Sequence, residues 1–166
     1  ALSRGVAPAI KQLLQGAHVN STEDRPAWHC ALRQAVSEHS HDLPSSILAS
    51  VQTTLEKMER WVERLNQGLY KGCTGETIRS VVHIGIGGSD LGPRLMSEAL
   101  KPYHQSDLKV QFVSNLDPQE LRQALAGCVP AQTMFILASK SFSTQETLEN
   151  AKLAKKWLQD NLQTQE

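Results

Sequence analysis

The chain has 166 residues, of which 40% are apolar and 20% are charged, as is usual for a soluble globular protein of one domain or of one domain with an attached arm. Its 17 basic and 17 acidic residues cancel and form no long block of one sign, which argues against a nucleic-acid-binding or anionic-membrane-binding surface. No stretch approaches the ~18 apolar residues of a membrane span.

The cysteines and the first residues of the chain indicate the cellular compartment of the protein. Cys30, Cys73 and Cys128 are odd in number and far apart, which argues against a disulfide framework or a zinc site and fits a reducing compartment. Residues 1–9 lack a charged start followed by an apolar run, so we expect no signal peptide and a cytoplasmic protein. The chain does not begin with Met and ends at Glu166 directly after a helical pattern. We therefore expect both ends to be boundaries within a longer protein.

The first third of the chain is predicted to be helical. Apolar residues recur at steps of three and four over 47–65, which places them on one face of a helix. A shorter helix is predicted over 26–38, because proline suits a first helical turn. Its inward residues are expected to be Trp28, Leu32 and Val36. We predict that residues 1–68 form a helical arm.

After a loop, short apolar runs alternate with helical patterns. Strands are predicted over 80–86, 109–114 and 133–138. Strands that are buried on both faces and joined by helices imply a parallel α/β sheet with right-handed crossovers. The sequence thus predicts three βα units, with more strands expected beyond Glu166.

The helices of this second part have recognisable starts. One is predicted over 93–100. Another begins at Pro118, with Asp117 as its cap and Glu120 completing a capping box. Ser143 and Glu146 are predicted to form a second capping box. The helix that follows is expected to turn Leu148, Ala151, Ala154, Leu158 and Leu162 inward.

A glycine-rich segment over 85–92 links the first predicted strand to its helix. Glycines permit turns with positive φ and let a ligand approach the backbone, while amides at a helix start can face an anion. Ser89 adds one hydroxyl donor. Ligands of open α/β sheets bind at the carboxyl ends of the strands, where this loop is predicted to lie. The alternative is a glycine-rich turn with no ligand.

A dinucleotide site is disfavoured at this loop. The GxGxxG fingerprint requires a third glycine where the chain has Asp90, and an acid beside a pyrophosphate would repel it. The acidic ribose partner expected about 20 residues further on is only loosely matched by Asp117. No GKS or GKT triplet of a P-loop is present.

A second segment follows the third predicted strand and is rich in hydroxyls. It comprises Ser139, Lys140, Ser141, Phe142, Ser143 and Thr144. Hydroxyls are neutral donors suited to a phosphate monoester, and a helix start adds about half an elementary positive charge. Plain helix capping by Ser143 is the alternative. Two such loops at strand ends of the same sheet can converge on one anion.

At these two loops the sequence resembles the glucose-6-phosphate isomerase family. The matching segments are IGIGGSDLGP at 84–93 and SKSFSTQET at 139–147, with NSTEDRP at 20–26 and FVSNLD at 112–117. They follow the family's order across nearly the whole chain. The first of them is far more specific than a generic glycine pattern.

The resemblance implies a fold and a function. The family is built from two sugar-isomerase (SIS) domains, each a flavodoxin-like five-stranded parallel sheet, and residues 69–166 are similar to the first part of the first domain. The family interconverts glucose 6-phosphate and fructose 6-phosphate in glycolysis and gluconeogenesis. It works as a homodimer and needs no cofactor.

The resemblance also implies binding roles. Gly88 and Ser89 are expected to touch the substrate. The second loop is expected to hold the phosphate, partly through main-chain amides, with Ser139, Lys140, Ser141, Phe142, Ser143 and Thr144. The family usually has Thr where this chain has Ser141 and Ser143, so the hydroxyl is kept and only a methyl is lost. Trp28 replaces a typical aliphatic residue.

The catalytic residues are expected outside this chain. The family's reaction passes through a cis-enediol, with a glutamate that moves a proton between C1 and C2, a histidine and a lysine that assist ring opening, and an arginine that steadies the intermediate. Those motifs lie beyond Glu166 in the family, and Glu146 is predicted to be a cap rather than the base. We predict that the isolated chain is inactive. The alternative is a non-catalytic sugar-phosphate-binding SIS module.

The remaining candidate sites are interpreted as structural. His39 and His41 lie two apart, and residues so spaced do not share a helix face, so a solvated helix end is favoured over a metal site. His83 alternates within a strand and is predicted to be a core or interface histidine. No metal site is predicted.

Overall fold

A computed structural model of the protein describes residues 5–33, 43–104 and 106–162. The chain divides into two compact units, Ala1–Arg60 and Trp61–Glu166. The second unit contains both predicted ligand loops. None of the described helices is long and apolar enough to cross a membrane.

The first unit is helical in its described part. It contains helix α1 (Val6–Leu14), a 3-10 turn (Trp28–Arg33) and the beginning of helix α2 (Ser45–Asn66). Gly16 has φ 78°, and a Cβ there would lie 2.2 Å from the Trp28 ring, so both the backbone conformation and the available space require glycine.

Two details of the predicted arm differ from the structure. The helix predicted over 26–38 is a 3-10 turn where it is described, and Leu32 is exposed rather than inward. Val36 lies outside the described residues. The helix predicted over 47–65 is confirmed as α2, but Leu55, Met58 and Val62 on its apolar face are 50%, 58% and 55% exposed. The spacing of apolar residues identifies a helix face but does not establish that a partner covers it.

The second unit is built on a parallel sheet, as predicted. Strands β1 (Ser80–Ile84), β2 (Lys109–Val113) and β3 (Thr133–Leu137) lie in the order β2-β1-β3, with β1 paired to both neighbours. The pairing is in full register, so that Ile84 lies between Val113 and Leu137. The three carboxyl ends therefore form one level edge.

Burial differs between the strands. β1 is buried at all five positions, whereas β2 and β3 are partly exposed. Burial on both faces was expected of every strand and holds only for β1. The reason is positional, because β2 and β3 each have one strand neighbour within the part of the chain that is described.

Three helices cover the sheet: α3 (Gly88–Ala99), α4 (Pro118–Leu125) and α5 (Gln145–Leu162). Val82 and Ile84 join Val113 in a buried cluster, to which α4 and α5 add Leu121, Ala124 and Ala154. Successive strand residues point to opposite faces, so His83 points away from this cluster. Its side chain contacts the first turn of α3 on the other face.

Two helix predictions need correction. α3 begins at Gly88 rather than at Pro93, because glycines 87 and 88 complete the turn within three residues of β1. α5 buries Thr147, Asn150 and Ala154, whereas Leu148 is exposed. The buried face of α5 is thus partly polar, and a search for apolar periodicity misplaces it.

Burial of the central strand gives a stability test. Ile84 is 1% exposed and Ile136 on β3 is 42% exposed. We expect Ile84→Ala to lower the free energy of unfolding by about 2–5 kcal/mol, through lost burial and the cavity left behind. The same substitution at Ile136 should cost less than half as much. Urea unfolding of both variants measures this, and equal losses would contradict the assignment of β1 as the core strand.

Candidate functional site

The candidate site lies where the chain leaves β1 and β3. From β1 the chain moves to β2 on one side, then crosses to β3 on the other side, so the topological switch point lies between β1 and β3. Ligands of doubly wound sheets bind at such a point, outside the carboxyl ends of the strands. The loops that start there are the glycine-rich and the hydroxyl-rich segments singled out in the sequence.

Backbone hydrogen bonds tie the starts of the loops together. The amide of Ala138 donates to the carbonyl of Ile84 over 2.9 Å, and the amide of Gly85 donates to the carbonyl of Val113 over 3.1 Å. The loops after β1 and β3 therefore leave the sheet side by side.

The glycines of the first loop have different structural roles. Gly87 has φ 57° and ψ −122°, a conformation that favours glycine. Gly85 is buried, and a Cβ there would lie 2.6 Å from the Ser89 carbonyl oxygen. At Gly88 and Gly92 a Cβ would meet nothing within 4 Å, and neither has a positive φ. The fold thus requires glycine at 85 and 87 but not at 88.

The residues expected to touch substrate in this loop lie on the first turn of α3. Gly88 is its first residue and is exposed, and Ser89 follows it and is half-buried. Their position at the start of a 12-residue helix places the positive end of the helix dipole at the carboxyl edge of the sheet. The amides of residues 89–91 already donate to the carbonyls of Ile86 and Gly87.

Asp90 is turned into the protein. Its side chain is 4% exposed and forms a bidentate pair with Arg94, with Nε and Nη2 within 2.9–3.1 Å of the carboxylate. A buried carboxylate needs such a partner. The repulsion argument against a dinucleotide is therefore wrong, since the charge is compensated. The absence of the third glycine still distinguishes this loop from the GxGxxG fingerprint of dinucleotide-binding proteins.

The second loop is folded on its own polar groups. The Ser139 hydroxyl accepts a hydrogen bond from the Phe142 amide over 3.0 Å, and the Ser141 and Ser143 hydroxyls lie 2.7 Å apart. Phe142 has φ 51°, in the left-handed region that non-glycine residues seldom occupy. Such strain is commonest in ligand-binding segments.

The capping box predicted at Ser143 and Glu146 is wrong. α5 begins at Gln145, and the carbonyl of Thr144 accepts the helical hydrogen bond from Leu148 over 3.1 Å. Thr144 therefore occupies the cap position, one residue after Ser143, and the Ser143 hydroxyl contacts Ser141 instead. Plain capping does not account for Ser143.

Most of the second loop faces solvent. Ser141, Phe142 and Ser143 are exposed, as is Lys140, and Ser139 and Thr144 are half-buried. An anion can therefore reach the hydroxyls of this loop without a rearrangement of the sheet.

The loop after β2 connects the helices on the two faces of the sheet. The Glu120 carboxylate accepts from the amides of Ser114 and Asn115 over 3.1 and 2.7 Å, instead of completing a capping box. Asp117 caps α4 as predicted, by accepting from the Gln119 amide. Arg94 of α3 lies 3.4 Å from the Ser114 hydroxyl and 3.7 Å from Glu120.

Asn150 links the same loop to α5 and was missed from the sequence. It is 1% exposed, and its Nδ2 donates to the Asn115 carbonyl over 2.8 Å. Asn150 Oδ1 and the hydroxyl of nearby Thr147 are buried without a hydrogen-bond partner in the described part of the chain. No local sequence pattern predicts the buried contact of Asn150. The ion pair of Asp90 and Arg94 could have been predicted, because residues four apart are neighbours on a helix.

Metal ligation finds no support in the described residues. Within 5–33, 43–104 and 106–162, no three His, Cys, Asp or Glu side chains come together as a possible metal site. His39 and His41 lie outside the described residues.

The fold places the protein among the parallel α/β proteins, and the two candidate loops lie at the carboxyl ends of its strands. Comparison with protein families makes this specific, since the phosphoglucose isomerase model matches residues 1–166. The chain belongs to the phosphoglucose isomerase family.

Individual relatives agree with this assignment. The chain is 50% identical over 157 residues to the glucose-6-phosphate isomerase of Saccharophagus degradans, covering 92% of this chain and 27% of the relative. It is 47% identical over 152 residues to the enzyme of Francisella tularensis, covering 92% and 28%. The chain thus spans little more than a quarter of the length of these curated relatives.

Solved structures give the same fold. A glucose-6-phosphate isomerase from Chlamydia trachomatis superposes with a TM-score of 0.72 at 26% identity, over 95% of this chain and 30% of that one. A hypothetical protein from Thermus thermophilus superposes with a TM-score of 0.54 at 26% identity, over 95% and 33%.

The glycines of the first loop give a paired test. We expect Gly85→Ala to lower the free energy of unfolding by about 1–3 kcal/mol, because its methyl would overlap a backbone carbonyl. Gly92→Ala meets no atom within 4 Å and should change it by less than about 1 kcal/mol, because the helix preference of alanine is offset by crowding of its Cβ against Pro93. Chemical denaturation measures both. Equal tolerance of the two changes would contradict the close approach of Ser89 to Gly85.

Proposed function

We propose that this chain is the sugar-phosphate-binding part of a glucose-6-phosphate isomerase, which interconverts glucose 6-phosphate and fructose 6-phosphate through a cis-enediol. The observation that carries the proposal is that the two loops matching the family lie side by side at the switch point of the sheet. Family membership and the names of the relatives support the reaction.

The phosphate is assigned to the second loop. The hydroxyls of Ser139, Ser141, Ser143 and Thr144, the Lys140 side chain and main-chain amides supply donors at the start of α5. The Phe142 amide donates to the Ser139 hydroxyl and so holds that oxygen in place. Neutral donors and a helix N-terminus stabilise a phosphate dianion. In the Ser141–Ser143 pair one hydroxyl donates to the other, and the accepting hydroxyl can turn its own proton toward an anion.

The sugar is assigned to the first loop. The fold does not require glycine at Gly88, since a Cβ there would meet no atom of the protein within 4 Å. A glycine without a structural reason suits the close approach of a ligand to the backbone. Ser89 then presents its hydroxyl to the sugar, while its amide donates to the Ile86 carbonyl over 3.1 Å.

The proton-transfer residues of the reaction are assigned to segments outside this chain. Glu146 lies in the first turn of α5, beneath the phosphate loop, and is not proposed as the base. We assign 69–166 to the first part of an SIS domain and 1–68 to its helical arm. The intact protein would be a cytoplasmic homodimer that needs no cofactor.

The phosphate assignment is tested in the full-length protein that contains this chain. Thr144→Val and Ser141→Ala each remove one hydroxyl, and we expect each to raise the KM for fructose 6-phosphate by about tenfold, as for the loss of a hydrogen bond to a charged group. Thr54→Val is the matched control, because Thr54 is exposed on α2 and its hydroxyl donates to the Ser50 carbonyl of its own helix. An unchanged KM in both loop variants would refute the assignment.

The assignment of substrate binding to this chain, and of proton transfer to segments outside it, is tested with the 166-residue chain itself. Prepared from a host that lacks its own isomerase, it should bind fructose 6-phosphate in calorimetric titration, should not bind NAD, and should not interconvert the two sugar phosphates. Turnover by this chain would contradict the placement of the base elsewhere. Binding without turnover by the full-length protein would instead favour a non-catalytic sugar-phosphate module.

A further inference from the structure

The first turn of α3 contains a backbone carbonyl that lacks its usual helical donor. Pro93 lies inside α3, and it has no amide hydrogen to donate to the residue four positions earlier, which is Ser89. The proline ring also crowds that carbonyl. A buried carbonyl left unpaired is costly, so a partner is needed.

His83 supplies the partner from the neighbouring strand. Its Nε2 lies 2.7 Å from the Ser89 carbonyl oxygen. Because a carbonyl only accepts, the imidazole must carry its proton on Nε2. The ring is buried, and its centroid lies 5.4 Å from that of Phe112 on β2, which limits its freedom to turn away.

Gly85 makes the contact possible. Residues 83 and 85 point to the same face of the extended chain, and a side chain at 85 would fill the space that the Ser89 carbonyl occupies. The three features belong together: Pro93 frees the carbonyl, Gly85 leaves room for it, and His83 binds it.

We infer that His83 is a positioning residue, whose Nε2–H fixes the Ser89 peptide and thereby the first turn of α3 that presents Gly88 and Ser89 to the sugar phosphate. This inference rests on the proposed function, because only the proposed function gives the first turn of α3 a substrate to bind. His83 itself contacts the backbone of the loop and not the ligand.

The test uses the full-length protein. His83→Phe keeps a ring of similar size but removes the donor, and we expect kcat/KM to fall by roughly tenfold to a hundredfold, the effect of leaving one buried acceptor unpaired. His83→Gln keeps an amide donor near the position of Nε2 and should restore most of the loss. Equal losses in the two variants would overturn the inference.

A double-mutant cycle isolates the Ser89 carbonyl. Pro93→Ala restores a backbone amide that can bond Ser89 within the helix, so His83→Phe should cost much less in that background than in the native one. A loss of the same size in both backgrounds would mean that His83 acts through something other than this carbonyl, and would overturn the inference.

A spectroscopic readout on the native protein does not depend on how well any variant folds. Long-range proton–nitrogen correlation of histidine-labelled protein should find the His83 proton on Nε2, and a proton on Nδ1 alone would overturn the inference. Failure of the proposed function is distinguishable. If His83→Phe leaves kcat/KM unchanged while Thr144→Val or Ser141→Ala raises KM, only the positioning role fails. If none of the three variants changes the kinetics, the proposed function fails and the inference with it.

Discussion

The pairing of β1 with both neighbours is the constraint on which the rest of the second unit depends. The ladder runs in full register, so Ile84, Val113 and Leu137 end at one level. Side chains from α4 and α5 bury one face of β1, while α3 contacts the other. Since β1 is buried along its whole length, it cannot shift without exposing Val82 and Ile84, and the loops that leave the sheet inherit this rigidity.

Polar links extend that rigidity into the loops. Arg94 joins the start of α3 to the loop after β2, Glu120 holds two amides of that loop, and Asn150 joins the same loop to α5. The loop after β2 therefore couples the helices that carry the two candidate binding segments. A single hydrogen bond contributes only about 1 kcal/mol, but several on one short loop restrict it to one conformation.

The sequence predicted most of what local chemistry controls. The parallel sheet, the helix over 47–65 and the cap of α4 by Asp117 are confirmed, because apolar spacing and capping residues act over a few positions. The exposure of Leu32, the polar buried face of α5 and the role of Glu120 could not be predicted, since each depends on what tertiary packing brings near. Both candidate loops were found from the sequence, but not the contacts that shape them.

Within the second unit, departures from ordinary helix-start rules occur at the candidate site. α4, which is remote from the switch point, follows the rules, with Asp117 as its cap and Pro118 at its first position. α3 begins after Gly87, whose positive φ requires glycine, and contains a proline, and α5 follows a strained Phe142 and a serine pair that does not cap it. Natural sequences depart from local rules chiefly where function demands it. The ordinary start of α4 demonstrates that this sheet does not itself demand irregular helix starts. The irregular starts of α3 and α5 occur at the two loops that flank the switch point.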